Sequence, residues 1–201
     1  MARRHFWITA AATLLALASV ASSGWSIEGY QHRLHPVALP GARGVPGAAA
    51  FNLLAFVLPG LAVAWLAWSA RGWASVGSGW PARLSLQCLL LAALAHGAQG
   101  MLPLDPTDLD AMASRLHAAA WTAWWLASVV ALLFGAAAAW RGGIGRVPAA
   151  VLMAAAAAAM ALLAVAELGA LPAPVAQRLA LALWFVAVLA LSCRGAGPAP
   201  P

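Results

Sequence analysis

The sequence predicts an all-α fold, a polytopic bundle of six transmembrane helices with both termini cytoplasmic. Three observations carry that reading. Hydrophobic residues make up 64% of the 201 positions and charged residues 8%, against about 25% charged in an ordinary soluble domain. Eleven basic and five acidic side chains are too few to keep a soluble surface wet, and disorder needs the opposite balance of low hydrophobicity and high charge. Apolar runs near the ~20 residues that cross a bilayer recur six times, and the arginines between them are unevenly divided between the two sides.

The first span, 6–26, follows Arg3 and Arg4 and ends among Ser19, Ser22, Ser23 and Ser26, whose hydroxyls can bond back to their own helix. The same flanks also read as a signal peptide, with RRHF echoing a twin-arginine signal. Cleavage there would leave five spans and an outer amino terminus. The second span, 47–70, carries Asn52 near its start and Pro59-Gly60 at its middle, where proline removes a backbone bond and kinks the helix. The third, 84–102, follows the glycine- and proline-bearing break from Arg71 to Arg83 and places His96 and Gln99 near its end. Asp105-Pro106 then reads as a helix start, with Asp108 close to a capping box, leading into a fourth span at 115–140. The run RGGIGRVP introduces an alanine-rich fifth span, 147–168, suited to close helix approach. Gly169, Pro172 and Pro174 introduce the sixth, 174–193. Residues 1–194 thus form one domain, and the Gly/Pro/Ala tail 195–201 is expected to fray. The longest connection, 27–46, exceeds a simple turn and invites a functional reading.

Orientation follows from arginine. With the amino terminus inside, the inner side holds Arg3, Arg4, Arg71, Arg83, Arg141, Arg146 and Arg194, and the outer side Arg33, Arg43, Arg115 and Arg178, the bias of the positive-inside rule. The acids Glu28, Asp105, Asp108, Asp110 and Glu167 all fall outside. A chain with arginine, no lysine and abundant alanine suits a GC-rich bacterial genome, hence a bacterial inner membrane. The net charge of +6 does not imply nucleic acid, because the arginines stand singly with no basic stripe. Cys88 and Cys193 have no metal or redox spacing and read as small apolar fillers.

An ionisable residue within a span is a functional hypothesis by default. His96 lies roughly 9 Å inside the outer end of its span at the helical rise. Gln99 follows three residues on, on the same face, and Asn52 sits at similar depth, so the three are expected to share a hydrogen-bonded cluster. Such a cluster could also serve only as interhelical glue. His117 heads the fourth span and shares a face with Trp121, Trp124 and Ser128; tryptophans there read as interface anchors. The outer loop adds Glu28, Tyr30, His32 and His35, but Pro36 argues against a helix that would align the two histidines on a metal.

Two stretches have a familiar look. HPVALPGARGVPGAAAFNLLAFVLPG, from His35 to Gly60, and GMLPLD, from Gly100 to Asp105, with His117 at the head of the following helix, resemble the bacterial membrane proteins of the domain of unknown function numbered 998. The resemblance covers most of the chain in order. It implies a six-span inner-membrane protein without an established activity, and it aligns Asn52, Asp105 and His117 with the family pattern. Where relatives carry Ser or Glu in the outer loop, this chain has Ala38 and Leu39, which weakens any catalytic serine there.

The leading functional reading is a bundle that binds a lipid or a membrane partner in a polar, periplasm-facing pocket built from Asn52, His96, Gln99, Asp105 and His117. The alternative is a metal-assisted intramembrane hydrolase acting on a lipid or amide, with His96 and His117 as ligands or base and Asp105 or Glu28 as acid/base. A small transporter is a second alternative, disfavoured because the inner half has almost no ionisable residues and no repeat is evident. No cofactor is firmly implied: haem would need facing axial histidines, and His96 with His117 is the one near-membrane pair.

Overall fold

The computed structural model describes residues 2–25, 27–74, 79–141, 146–166 and 171–192. Ser26, Glu167, Gly169, Cys193, Arg194 and the tail 195–201 lie outside the described residues, as does 142–145 of the glycine-rich turn. The described chain is all helical. Helix α1 spans Ala2–Ser22. A short α2, Ala48–Asn52, runs without a break through a π-helical turn, Leu53–Val57, into α3, Leu58–Ala74. Then come α4, Gly79–Met101; α5, Met112–Arg141; α6, Val147–Ala166; and α7, Ala173–Ser192. With α2 and α3 joined, six helices are long and apolar enough to cross a membrane. Their bounds fall within a few residues of the expected spans.

Only 33% to 44% of each span is buried inside the bundle, and the outward faces carry Leu14, Leu61, Leu91, Leu126, Leu133 and other large apolar side chains. A surface this apolar is untenable in water and ordinary in lipid. Each span packs on the next in sequence, and α7 returns against α1, so the six helices close a ring. The centre is plugged by large side chains: Trp124, Trp184, Phe56, Phe185 and Leu132 are each at most 2% exposed.

Between spans in lipid, close packing and interhelical hydrogen bonds replace the hydrophobic effect as the source of association. The α3–α4 contact shows the first. A Cβ on Gly60 would lie 2.7 Å from the Gly97 backbone nitrogen and 2.8 Å from the Ala93 carbonyl oxygen, so the two backbones touch where both residues lack bulk. The α4–α5 contact shows the second, with the Ser85 hydroxyl donating to the Ala131 carbonyl at 2.8 Å. The Trp125 indole donates to the Met160 carbonyl at 3.2 Å and ties α5 to the alanine-rich α6.

Two local expectations need correction. Helix α5 begins at Met112, not at Asp105-Pro106. Asp105 turns its carboxylate on Thr107, accepting from the hydroxyl at 2.7 Å and the amide at 3.0 Å. Asp108 supplies the entry instead, accepting from the Asp110 and Ala111 amides at 3.0 Å. At Pro59 the helix widens into the π turn immediately before it, a common accommodation of a missing donor.

The connections 23–47 and 102–111 and the start of α7 meet at one end of the bundle. The Arg43 amide donates to the Leu104 carbonyl at 2.9 Å, and the Val37 amide donates to Gln177 Oε1 at 3.3 Å. Arg178 donates to the His35 carbonyl at 3.0 Å and the Tyr30 hydroxyl at 2.7 Å. The first loop is therefore strapped across the helix ends.

Candidate functional site

Beneath that strap lies a partly enclosed cavity of about 170 Å³, lined by Val37, Phe56, Gln99, His117, Trp121 and Gln177 among others. Gln99 is fully buried, and neither its amide nitrogen nor its oxygen has a hydrogen-bond partner. An amide can make up to four hydrogen bonds, and leaving it dry and unpaired costs about 1–3 kcal/mol by protein data. Among the described residues that line this cavity, Gln99 is the one with buried side-chain polar atoms left unpartnered.

His117 is 9% exposed, and its Nδ1 faces two carbonyls, Leu102 at 2.9 Å and Gln99 at 3.2 Å. A carbonyl only accepts, so Nδ1 carries a proton. This contact also ties the head of α5 to the end of α4.

His96 occupies the bundle centre. Its ring centroid lies 5.1 Å from Trp184, 5.2 Å from Phe56, 5.5 Å from Phe185 and 6.0 Å from Trp124. Its Nε2 meets the Ala55 carbonyl at 3.2 Å. Ala55 lies in the π turn that precedes Pro59, a residue with no N–H to donate. His96 Nδ1 and the indole nitrogens of Trp124 and Trp184 have no partner. Phe56 touches His96 and also lines the cavity.

Asn52 is buried but turns elsewhere. Its amide donates to the Gly41 carbonyl at 2.8 Å, and it borders a separate, open groove with Arg43, Gly100 and Met101. Gly41 is required there, because a Cβ would overlap the Asn52 side-chain oxygen. The expected hydrogen-bonded cluster of Asn52, His96 and Gln99 therefore does not form; each side chain uses, or leaves unused, a different set of partners.

Asp105 and Glu28 do not line the cavity. The Thr107 hydroxyl and then its amide hold the Asp105 carboxyl below the usual carboxylate range, helped by the Asp108 amide and the Arg43 charge. Glu28 is exposed. In the outer loop the Gln31 amide donates to His35 Nδ1 at 3.0 Å, and Tyr30 stacks on the His35 ring at 5.4 Å, so this histidine builds the loop. Among the described residues no three His, Cys, Asp or Glu side chains gather as a metal ion would require.

Sequence reading missed Gln177 and counted Arg178 only for topology. A polar pair three residues inside a span that starts Ala-Pro was the available signal. Trp124 was expected at the interface and is instead fully buried against His96; only the partner helices reveal that. No protein family, curated protein or solved structure matches the chain.

Proposed function

We propose that this chain is a bacterial inner-membrane protein whose six-helix bundle, with cytoplasmic termini, binds the polar part of a lipid or membrane partner in a periplasm-facing pocket. The observation that carries this is Gln99, buried with both polar atoms unspent, lining one cavity with His117. Purely structural polar residues in lipid are normally satisfied by a neighbouring helix, as Ser85 and Trp125 are here. A group left unsatisfied beside free space is explained most simply by an occupant that completes it. The size sets a limit. About 170 Å³ falls below the ~300–1,000 Å³ of pockets that engulf a drug-sized molecule, so the cavity suits a headgroup and not a whole lipid. The orientation rests on the arginine bias, and the resemblance of Asn52, Asp105 and His117 to an inner-membrane family pattern agrees with it.

Hydrolysis has less support. Among the described residues no carboxylate lines the cavity with His117, and Asp105 is engaged by Thr107.

Native mass spectrometry of the protein purified from its own membrane is the test. Wild type is expected to retain a single lipid-sized adduct that Gln99→Leu loses. A wild type free of adduct, together with a Gln99→Leu protein that is more heat-stable, would make Gln99 an unused buried amide and end the proposal, since replacing an unpaired buried polar group by an apolar one of similar shape is neutral or stabilising.

A further inference from the structure

The end of the bundle away from the Gln99 cavity carries a different chemistry. Among the described residues there, Arg4 lies over Trp65 at 5.9 Å, Arg71 over Trp68 at 4.9 Å and Arg141 over Trp80 at 5.9 Å, measured from guanidinium carbon to ring centroid. The first two pairs share one seam, between the start of α1 and the end of α3. Trp65 and Trp68 are 39% and 64% exposed, and the His5 ring also packs on Trp65, centroids 4.8 Å apart.

The seam continues away from the arginines as two apolar stripes at helical spacing. On α1 it runs from exposed Arg4 through Trp7 and Ala11 to Leu14, and on α3 from Arg71 back through Trp68 and Trp65 to Leu61, all exposed except half-buried Arg71. Arg4 over Trp65 joins the two. Each stripe covers ten residues from its arginine to its leucine, about 15 Å at the helical rise, which is half the ~30 Å hydrocarbon thickness. A cation at one end and one leaflet's depth of apolar surface below it are the two halves of a phospholipid's partner.

We infer that this seam binds one anionic phospholipid, its phosphate on Arg4 and Arg71 and its acyl chains along the two stripes. The charge balance selects the class. An indole attracts a guanidinium to its negative face but does not neutralise it, and among the described residues neither Arg4 nor Arg71 makes a hydrogen bond or an ion pair. The acidic side chains of the sequence follow α1 (Glu28), α4 (Asp105, Asp108 and Asp110) or α6 (Glu167, outside the described residues), and so stand in sequence at the far ends of those helices. The stretches flanking Arg4 and Arg71 contain none. Guanidinium donors match phosphate oxygens closely, and basic surfaces between spanning helices suit anionic headgroups. A choline head would bring its own cation against the two arginines.

The experiment titrates dioleoylphosphatidylglycerol (anionic) and dioleoylphosphatidylcholine (zwitterionic) into the full-length protein in neutral detergent, with retention read by native mass spectrometry. It does not depend on which compartment this end faces, nor on the Gln99 cavity. Wild type is expected to hold the anionic lipid at least about fivefold more tightly, the scale of one interfacial arginine. Arg4→Gln and Arg71→Gln should each weaken it by about the same factor. Arg141→Gln, which removes a like charge on the α4–α5 side, should leave it within about twofold, because the seam lies elsewhere. Thermal unfolding of each variant shows that it is folded, and the two seam variants stand in for one another if either is not. Equal retention of the two lipids, or of neither, would overturn the anionic class. Equal weakening by all three variants would make the attraction a property of the whole basic end and overturn the seam, as would an affinity that neither seam variant moves.

Discussion

At the scale of single residues, the site depends on side chains that use backbone carbonyls as partners. Asn52 holds the first loop through Gly41, and the fit leaves no space for a methyl group. Gly41→Ala should therefore destabilise the protein by about 1–3 kcal/mol, the cost of a displaced, unsatisfied amide. The same substitution in an Asn52→Ala background should cost clearly less, because the clashing atom is gone; equal costs in a double-mutant cycle read by thermal unfolding would show the two residues to be uncoupled. Asp105 is governed by its own turn. Its carboxyl is held below the ordinary range chiefly by the Thr107 hydroxyl, so the turn is supported above the unfolded-state value and loses that support as pH falls through the lower folded-state value. Thr107→Val should move the Asp105 titration upward toward an ordinary carboxylate, followed by carbon-13 carboxyl shifts; an unchanged midpoint would shift the cause to Arg43 or the backbone. Sequence alone identified Asn52, His96, Gln99 and His117 as polar groups in apolar surroundings. It could not say that Asn52 would turn to Gly41, eleven residues back, or that His96 would meet Ala55, because those partners are carbonyls that every residue carries.

At the scale of helices, length and hydropathy were enough to place all six spans, since a bilayer demands about 20 apolar residues whatever the packing. Their ends were less readable. Asp105-Pro106 has the chemistry of a helix start, yet its carboxylate serves Thr107, and Asp108 serves the amides before α5. Two competing acceptors three residues apart look alike in sequence. Pro59 marked a disturbance correctly, but the form it takes, a π turn with its neighbour Gly60 against Gly97, depends on the helix opposite. Gly60→Ala tests that contact. The added Cβ meets backbone atoms on α4 at 2.7 and 2.8 Å, which cannot rotate away, so α3 and α4 must separate. An overpacking cost of about 1–3 kcal/mol is expected, measured as lost thermal stability in lipid nanodiscs. Leu61→Ala, one position along and 54% exposed on the outer face, should change stability by no more than about 0.5 kcal/mol. Equal losses at both positions would mean that the glycine contact does not hold the helices together.

At the scale of the whole molecule, the ring of six spans brings the first loop, the third connection and the start of α7 to one end, and the cavity opens the question of which compartment that end faces. The geometry and the arginines speak to different parts of it. The Arg43–Leu104 hydrogen bond requires that the two loops share a side; that this side is the periplasm is the proposal drawn from the arginine bias. Single cysteines separate the two claims. In a chain with Cys88 and Cys193 replaced by serine, Arg33→Cys and Asp110→Cys report the two loops, and Arg146→Cys reports the opposite end; all three positions are exposed. A membrane-impermeant maleimide applied to cells with a permeabilised outer membrane is expected to label positions 33 and 110 and to reach 146 only after the inner membrane is opened. Labelling at 146 alone would keep the fold but invert it, and would turn the Gln99–His117 cavity toward the cytoplasm, where its occupant would have to be drawn from the inner leaflet. Labelling that divides 33 from 110 would contradict the bundle itself, because one end of a ring of alternating spans cannot face two compartments.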